Sequence, residues 1–80
     1  MVGKVPVFLY LVKLNESDWK IINELVADPL MSNATLADKV ALSVEGVSSS
    51  LRKMYRLFDI QERSNKKILL VAAVTQASQQ

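Results

Sequence analysis

The side chains best suited to chemistry in this sequence are hydroxyl and basic groups that follow Glu45. Three serines occupy positions 48–50, and Arg52 follows them directly after one leucine. A guanidinium can donate to both major-groove acceptors of a guanine, whereas a serine reaches only a short way and discriminates bases weakly. These residue types make the segment a candidate for contact with nucleic-acid bases, and Glu45 could accept from a cytosine amino group.

A second set could contact phosphates, because its members are basic or can donate hydrogen bonds. Contacts of this kind supply affinity that falls as salt rises and that carries no sequence information. The same residues also suit an ordinary solvated surface, and the sequence leaves both readings open. The predicted phosphate-contacting residues are Asn33, Thr35, Lys53, Arg56, Lys66 and Lys67.

The charge is unevenly distributed along the chain. Residues 14–43 carry five acidic and two basic side chains, a net charge of −3. Residues 44–67 carry six basic and three acidic side chains, a net charge of +3. A basic second half predicts one surface that faces a polyanion, although a mixed-charge surface is the plain alternative.

Most catalytic chemistry is excluded by composition. The 80 residues include no cysteine and no histidine, which removes disulfides, thiolate metal sites, histidine bases and most hydrolase triads. No phosphate-binding loop, dinucleotide fingerprint or calcium loop occurs. We therefore expect a protein that is not an enzyme and that uses no cofactor or metal.

The elements that must position these groups are predicted to be helices. Asn15 or Ser17 can cap a first helix that ends at Asp28-Pro29. Its apolar stripe is formed by Trp19, Ile22 and Val26 and is widened by Ile21 and Leu25.

Two further helices follow at close spacing. Ser32 or Asn33 can cap a short helix over about residues 34–40, and Ser43 can cap a third helix that runs to about residue 57. The small Ala37 suits the crossing point of the two helices. The predicted core stripe of the third helix consists of Val44, Val47, Leu51, Met54 and Phe58. This arrangement is typical of a helix-turn-helix, and a plain three-helix bundle is the alternative.

The ends of the chain are predicted to differ from the body. The apolar run at residues 5–12 is too short to cross a membrane, and Pro6 argues against a central strand. We expect an extended arm at 1–13, a helix-turn-helix domain at 14–75 and a polar tail at 76–80. A cytoplasmic protein without a membrane association is the corresponding expectation.

From Leu14 to about Val74 the chain resembles the LuxR/GerE-type helix-turn-helix domain of bacterial transcription regulators. The resemblance is carried by Ile21-Ile22, Ser32-Asn33, Leu36-Ala37, Leu42-Ser43, Val47, Leu51, Met54-Tyr55, Ile60 and Arg63. The chain departs from the family at Gly46, Ser48 and Ser50, where threonine, lysine and histidine are common, and at Asp59, where glycine is usual. The alignment with this family implies that Ser48, Ser49 and Arg52, with Glu45 before them, face the DNA bases. The departures concern the DNA contacts more than the fold.

A second resemblance is to the winged-helix domain of Lrp/AsnC regulators, through LNESDWKIINEL and SNATLADKVALS. The two readings differ after Ile60. In the first, Ser64 caps a fourth helix over KKILLVAAVTQA, and in the second residues 60–74 form a β-hairpin wing. The alanines and the TQASQQ segment favour the helix.

The LuxR/GerE resemblance also implies pairing through the fourth helix. We expect an exposed apolar face there that forms a homodimer interface with Val71, Val74 and Ala77, unless the N-terminal arm covers that face. The overall prediction is an all-α, three- to four-helix helix-turn-helix bundle with a short extended N-terminal arm.

The predicted function is a DNA-binding transcription regulator, or the output domain of one. Residues 43–57 would be the recognition helix in the major groove of double-stranded DNA. The alternative is a protein–protein interaction module that keeps the helix-turn-helix fold with a weakened DNA-reading face.

Overall fold

The computed structural model describes residues 13–78, and this part of the chain forms four α-helices and no strand. The predicted all-helical helix-turn-helix fold is confirmed. The expected extended arm lies outside the described residues apart from residue 13. The helices are α1 (Glu16–Ala27), α2 (Asn33–Val40), α3 (Val44–Leu57) and α4 (Lys66–Ser78).

Helix α1 begins at a capping box, in which side chain and backbone cap each other reciprocally. The Asp18 N–H donates to Asn15 Oδ1 at 2.9 Å, and the Asn15 N–H donates to Asp18 Oδ2 at 3.0 Å. Asn15 is therefore the N-cap rather than Ser17. The predicted caps Ser32 and Ser43 are confirmed for α2 and α3, where each hydroxyl accepts a backbone N–H.

One hydrophobic core joins the four helices. Leu36, Ala37 and Val40 of α2 are buried, as are Val47, Leu51 and Met54 of α3. Two predicted core residues are wrong: Val26 is 59% exposed and Val44 is 48% exposed. The buried face of α1 is centred on Ile21 and Leu25, which leaves Val26 at its edge. The core residues of all four helices are Ile21, Ile22, Leu25, Leu36, Ala37, Val40, Val47, Leu51, Met54, Leu70 and Val74.

Two helices end with a residue in the left-handed region of backbone space. Ala41 follows α2 with φ of 58°, and the Leu42 N–H donates to the Ala37 carbonyl at 3.0 Å. Asp59 follows α3 with φ of 55°, and the Ile60 N–H donates to the Tyr55 carbonyl at 2.8 Å. These bonds reverse the chain tightly and satisfy carbonyls at the helix ends. The turn after α2 thereby brings α3 across α2.

Residues 66–78 form a helix, so the β-hairpin wing expected from the second resemblance is wrong. The fourth helix expected from the first resemblance is confirmed, but its cap is not Ser64. Asn65, with φ of 61°, directly precedes the helix, and its carbonyl accepts the Leu69 N–H at 3.0 Å. Helix α4 packs against both α1 and α3.

The face of α4 that meets the core was not the one expected. Val74 and Ala77 were expected to be exposed, but they are 4% and 1% exposed within the single chain. Val71 is half-buried. The exposed face instead carries Ile68, Ala72, Thr75 and Gln76. Only one of these is a large apolar side chain, so the structure does not support the expected apolar interface.

Candidate nucleic-acid interface

The outer face of α3 presents a stripe of four exposed side chains. Their spacing of four, three and four residues places them on one side of the helix, opposite the buried Val47 and Met54. We name this set the α3 outer stripe, and it consists of Glu45, Ser49, Arg52 and Arg56. It combines one carboxylate, one hydroxyl and two guanidiniums, which can accept from or donate to base edges and phosphates.

The three consecutive serines point in three directions. Ser48 lies on the α2 side of α3 and accepts a hydrogen bond from Asn33 Nδ2 at 3.2 Å. Ser50 lies on the α1 side and donates to Asp18 Oδ1. Ser49 lies between them on the exposed face. Two of the three serines therefore attach α3 to its neighbouring helices, and one remains accessible to a ligand.

Asp18 is the buried polar residue at the centre of the α1–α3 contact. Its side chain is 1% exposed, and it accepts from the Asn15 N–H and the Ser50 hydroxyl while it pairs with the Lys53 ammonium. Burial raises the pKa of the Asp18 carboxyl. The hydrogen bonds and the charge of Lys53 outweigh that effect, so the pKa lies below its ordinary value of 3.8.

Lys53 is thus placed on the flank of α3 rather than in the outer stripe. Its ammonium pairs with Asp18 Oδ2, and its side chain is 36% exposed. The sequence predicted Lys53 as a phosphate contact. In the structure its charge is already partly compensated by a buried carboxylate, which weakens its attraction for another anion.

The N-terminus of α2 lies beside α3 at the level of Ser48. Thr35 is exposed there, and its hydroxyl accepts a hydrogen bond from Ser32 Oγ at 3.0 Å. Asn33 is half-buried by its contact with Ser48, and its Oδ1 atom is buried without a hydrogen-bond partner among the described residues. The structure therefore brings the predicted phosphate residue Asn33 and the predicted base residue Ser48 into contact with each other.

The remaining predicted phosphate residues lie at the start of α4. Lys66 Nζ lies 5.4 Å from the centroid of the Tyr55 ring, a cation–π distance. Lys67 Nζ donates to the Met31 carbonyl at 2.7 Å. Burial lowers the pKa of the Lys67 ammonium, and it raises the pKa of the Tyr55 hydroxyl. Both lysines belong to the first turn of α4, where Lys66 lies beside Tyr55 in the C-terminal part of α3 and Lys67 beside the loop after α1.

Sequence reasoning missed the tertiary role of Asp18. The pattern Asn15-x-x-Asp18 signals a capping box, but no local pattern connects Asp18 with Ser50 and Lys53 on another helix. Within residues 13–78, no cluster of acidic side chains could hold a metal ion, and no helix is long and apolar enough to cross a membrane.

Comparison with protein families gave a match to the first three helices. A family model described as winged helix-turn-helix DNA-binding matches residues 14–56, which is more than half of the chain. The match runs from the cap of α1 to the last turn of α3 and stops before α4. It supports a helix-turn-helix DNA-binding domain and does not single out the LuxR/GerE type. Searches of curated proteins and of solved structures gave no match.

Proposed function

The chain belongs to the winged helix-turn-helix DNA-binding family, and we propose that it is a transcription regulator whose recognition helix is α3. The observation that carries this proposal is the α3 outer stripe. In helix-turn-helix domains the second helix of the motif enters the major groove. Here α3 is that helix, and Glu45, Ser49, Arg52 and Arg56 are its exposed polar side chains.

The central part of the stripe would read bases. Arg52 supplies a two-pronged donor for guanine, while Ser49 is short and lets the helix backbone approach the DNA closely. Glu45, in the first turn of α3, can accept from a cytosine amino group. Ser48 already binds Asn33, so its contribution is to hold the helix orientation more than to read a base.

Phosphate contacts would come from residues around this reading face. Arg56 and Thr35 are exposed and can donate to phosphate oxygens. Lys66 lies with its Nζ over the Tyr55 ring and can add to the attraction. Asn33, Lys53 and Lys67 all have partners inside the fold, so their proposed contribution is secondary, and that of the two lysines is mainly electrostatic.

The finer relationship to LuxR/GerE domains is also a proposal. It is supported by α4, because a fourth helix occupies the place where a winged domain has a β-hairpin. Homodimerisation through α4 remains a prediction, and the faces available to it are limited by the burial of Val74 and Ala77.

The alternative is a protein-interaction module that retains the fold. Both proposals are tested by an amide NMR titration of the protein with a generic 20-base-pair duplex at low and at moderate salt. We expect shifts at Thr35 and over residues 45–56 that shrink as salt rises. The amides around Lys20, on the outer side of α1, provide the internal control. Absence of shifts at low salt would contradict DNA binding and favour the alternative.

A further inference from the structure

A groove of about 300 Å³ lies between the loop after α1 and the first turn of α4. Pro29 and Leu30 form one wall, residues 63–68 form the other, and Tyr55 of α3 lies between them. This groove is separate from the α3 outer stripe, since none of the four stripe residues lines it.

The groove exposes large apolar side chains. Leu30 is 77% exposed and Ile68 is 41% exposed. Leu30 lies on a defined turn, because its N–H donates to Asp28 Oδ1 at 3.1 Å and the Met31 N–H donates to the Asp28 carbonyl at 3.1 Å. The Met31 side chain is buried at 8% exposure. The turn therefore holds Leu30 outward while its neighbour anchors the loop in the core.

The two walls are connected to each other. Lys67 on α4, which lines the groove, donates to the Met31 carbonyl in the loop after α1 at 2.7 Å. Lys66 lies over the Tyr55 ring and ties the first turn of α4 to α3. A groove with fixed walls requires little reordering when it binds a ligand, which lowers the entropic cost of binding.

The rim of the groove is positively charged. Arg63 is exposed and Lys66 is half-exposed, and none of the described residues that line the groove is acidic. Exposed apolar side chains beside guanidinium and ammonium groups fit a ligand that has an apolar anchor flanked by carboxylates. A DNA backbone offers phosphates for the basic groups but leaves Leu30 and Ile68 without an apolar partner.

We propose that this groove docks an acidic peptide segment of a partner protein, with an aliphatic or aromatic side chain against Leu30 and Ile68 and flanking carboxylates against Arg63 and Lys66. The proposal goes beyond DNA binding and does not depend on it. The groove shares no residue with the α3 outer stripe, but Lys66 and Lys67 line it and are also proposed phosphate contacts, so DNA and the peptide would share these two lysines.

The test is an NMR and fluorescence titration with three synthetic peptides of equal length. One alternates glutamates with leucine and phenylalanine, the second replaces the glutamates with lysines, and the third replaces the apolar residues with serines. We expect only the first peptide to bind, with amide shifts at Leu30, Tyr55 and residues 63–68. The substitution Leu30→Ser should weaken the affinity for the first peptide about tenfold, which corresponds to the loss of one partly buried apolar contact.

Matched variants distinguish contacts made in the groove from the effect of removing an apolar side chain or a positive charge elsewhere on the protein. Val26→Ser removes an apolar side chain that is 59% exposed on α1 but does not line the groove, so peptide affinity should be unchanged. Arg63→Glu should weaken binding of the acidic peptide. Lys39→Glu, at an exposed position on α2, should change that affinity much less. Leu30 is exposed, so its substitution should leave both the fold and DNA affinity intact.

Three outcomes would overturn the proposal. The first is no binding of the acidic apolar peptide at millimolar concentration, and the second is equal binding of the lysine peptide. The third is displacement of the peptide by duplex DNA together with DNA-induced shifts at Leu30 and Ile68, which would make the groove part of the DNA interface. Loss of DNA binding alone would contradict the proposed function and leave the docking groove unaffected.

Discussion

The carboxylate of Asp18, in the first turn of α1, forms an ion pair with the ammonium of Lys53 on α3. The same carboxylate caps α1 and accepts the Ser50 hydroxyl, so one buried group both starts a helix and fixes the neighbouring helix against it. Together with the buried face of α3, this contact holds the helix that carries the α3 outer stripe against α1. Because the proposed base-facing residues lie on α3, we expect the stability of this contact to affect the proposed DNA recognition.

Replacing Asp18 with asparagine should lower the free energy of unfolding by about 1–3 kcal/mol at neutral pH. The variant loses the ion pair and the charge-assisted hydrogen bonds to a buried group, although the amide can still accept from Ser50. Urea denaturation followed by circular dichroism would measure the difference. Asp38→Asn removes an exposed carboxylate from α2 and should change stability by less than about 0.5 kcal/mol. Equal effects of the two substitutions would contradict the role of Asp18.

The stabilisation by Asp18 should depend on pH with a definite sign. The pKa of this carboxyl is lowered in the folded protein relative to 3.8, so the folded state binds the proton less tightly than the unfolded state. The contribution is therefore complete above the unfolded pKa of about 3.9 and is lost as pH falls through the folded value. Unfolding curves of the wild type and Asp18→Asn should keep a constant separation from pH 7 to 5 and converge below about pH 4. A separation that grows on acidification would contradict this assignment.

The sequence predicted the features that depend on residues close together in the chain. The caps Ser32 and Ser43 and the small Ala37 follow from patterns within a few residues, and the structure confirms them. The inward roles of Ser48 and Ser50 could not be predicted, because they depend on partners from α2 and α1 that are distant in sequence.

The orientation of α4 was unpredictable for a different reason. Its central residues are apolar on every side, so the periodicity indicates no direction, and the choice of Leu70, Val74 and Ala77 as the inward face is made by the neighbouring surfaces. The exposed charges of α3 were easier to predict, because its apolar and polar faces are clearly separated.

Replacing Ala41 with glycine should stabilise the protein by up to about 1 kcal/mol. Ala41 has φ of 58°, where a Cβ atom is unfavourable, and glycine removes that penalty despite its greater freedom in the unfolded chain. Ala72→Gly is the control, because it lies on the exposed face of α4 in helical conformation and should cost about 0.5–1 kcal/mol. Thermal and urea unfolding of both variants would measure the two changes in the free energy of unfolding, which should have opposite signs. Destabilisation of both would show that the turn after α2 gains nothing from glycine.

Replacing Arg56 with alanine should weaken binding to all DNA sequences. Arg56 is exposed at the C-terminal end of the α3 outer stripe, and its proposed partner is a phosphate. Loss of one phosphate contact should reduce the slope of log affinity against log salt by about 1. Fluorescence anisotropy at several salt concentrations would measure it. Lys20→Ala removes one positive charge from the outer side of α1, where Lys20 pairs with Glu16 at 3.6 Å, and should leave the slope nearly unchanged. An unchanged slope for Arg56→Ala would mean that this part of α3 does not approach the DNA backbone.

Replacing Arg52 with alanine should relax sequence preference instead of weakening binding uniformly. Arg52 lies in the middle of the α3 outer stripe, one turn before Arg56, where its guanidinium can donate to both acceptors of a guanine. Loss of that contact should reduce discrimination at one base-pair position by about 1–3 kcal/mol, while affinity for unrelated DNA changes little. Selection of binding sites from a randomised duplex library, done in parallel for the wild type, Arg52→Ala and Arg56→Ala, would measure the preference at each position. The expected result is one relaxed position for Arg52→Ala and an unaltered preference for Arg56→Ala. If neither variant changes the preference, the base-reading role of the α3 outer stripe is wrong, even if its phosphate contacts are retained.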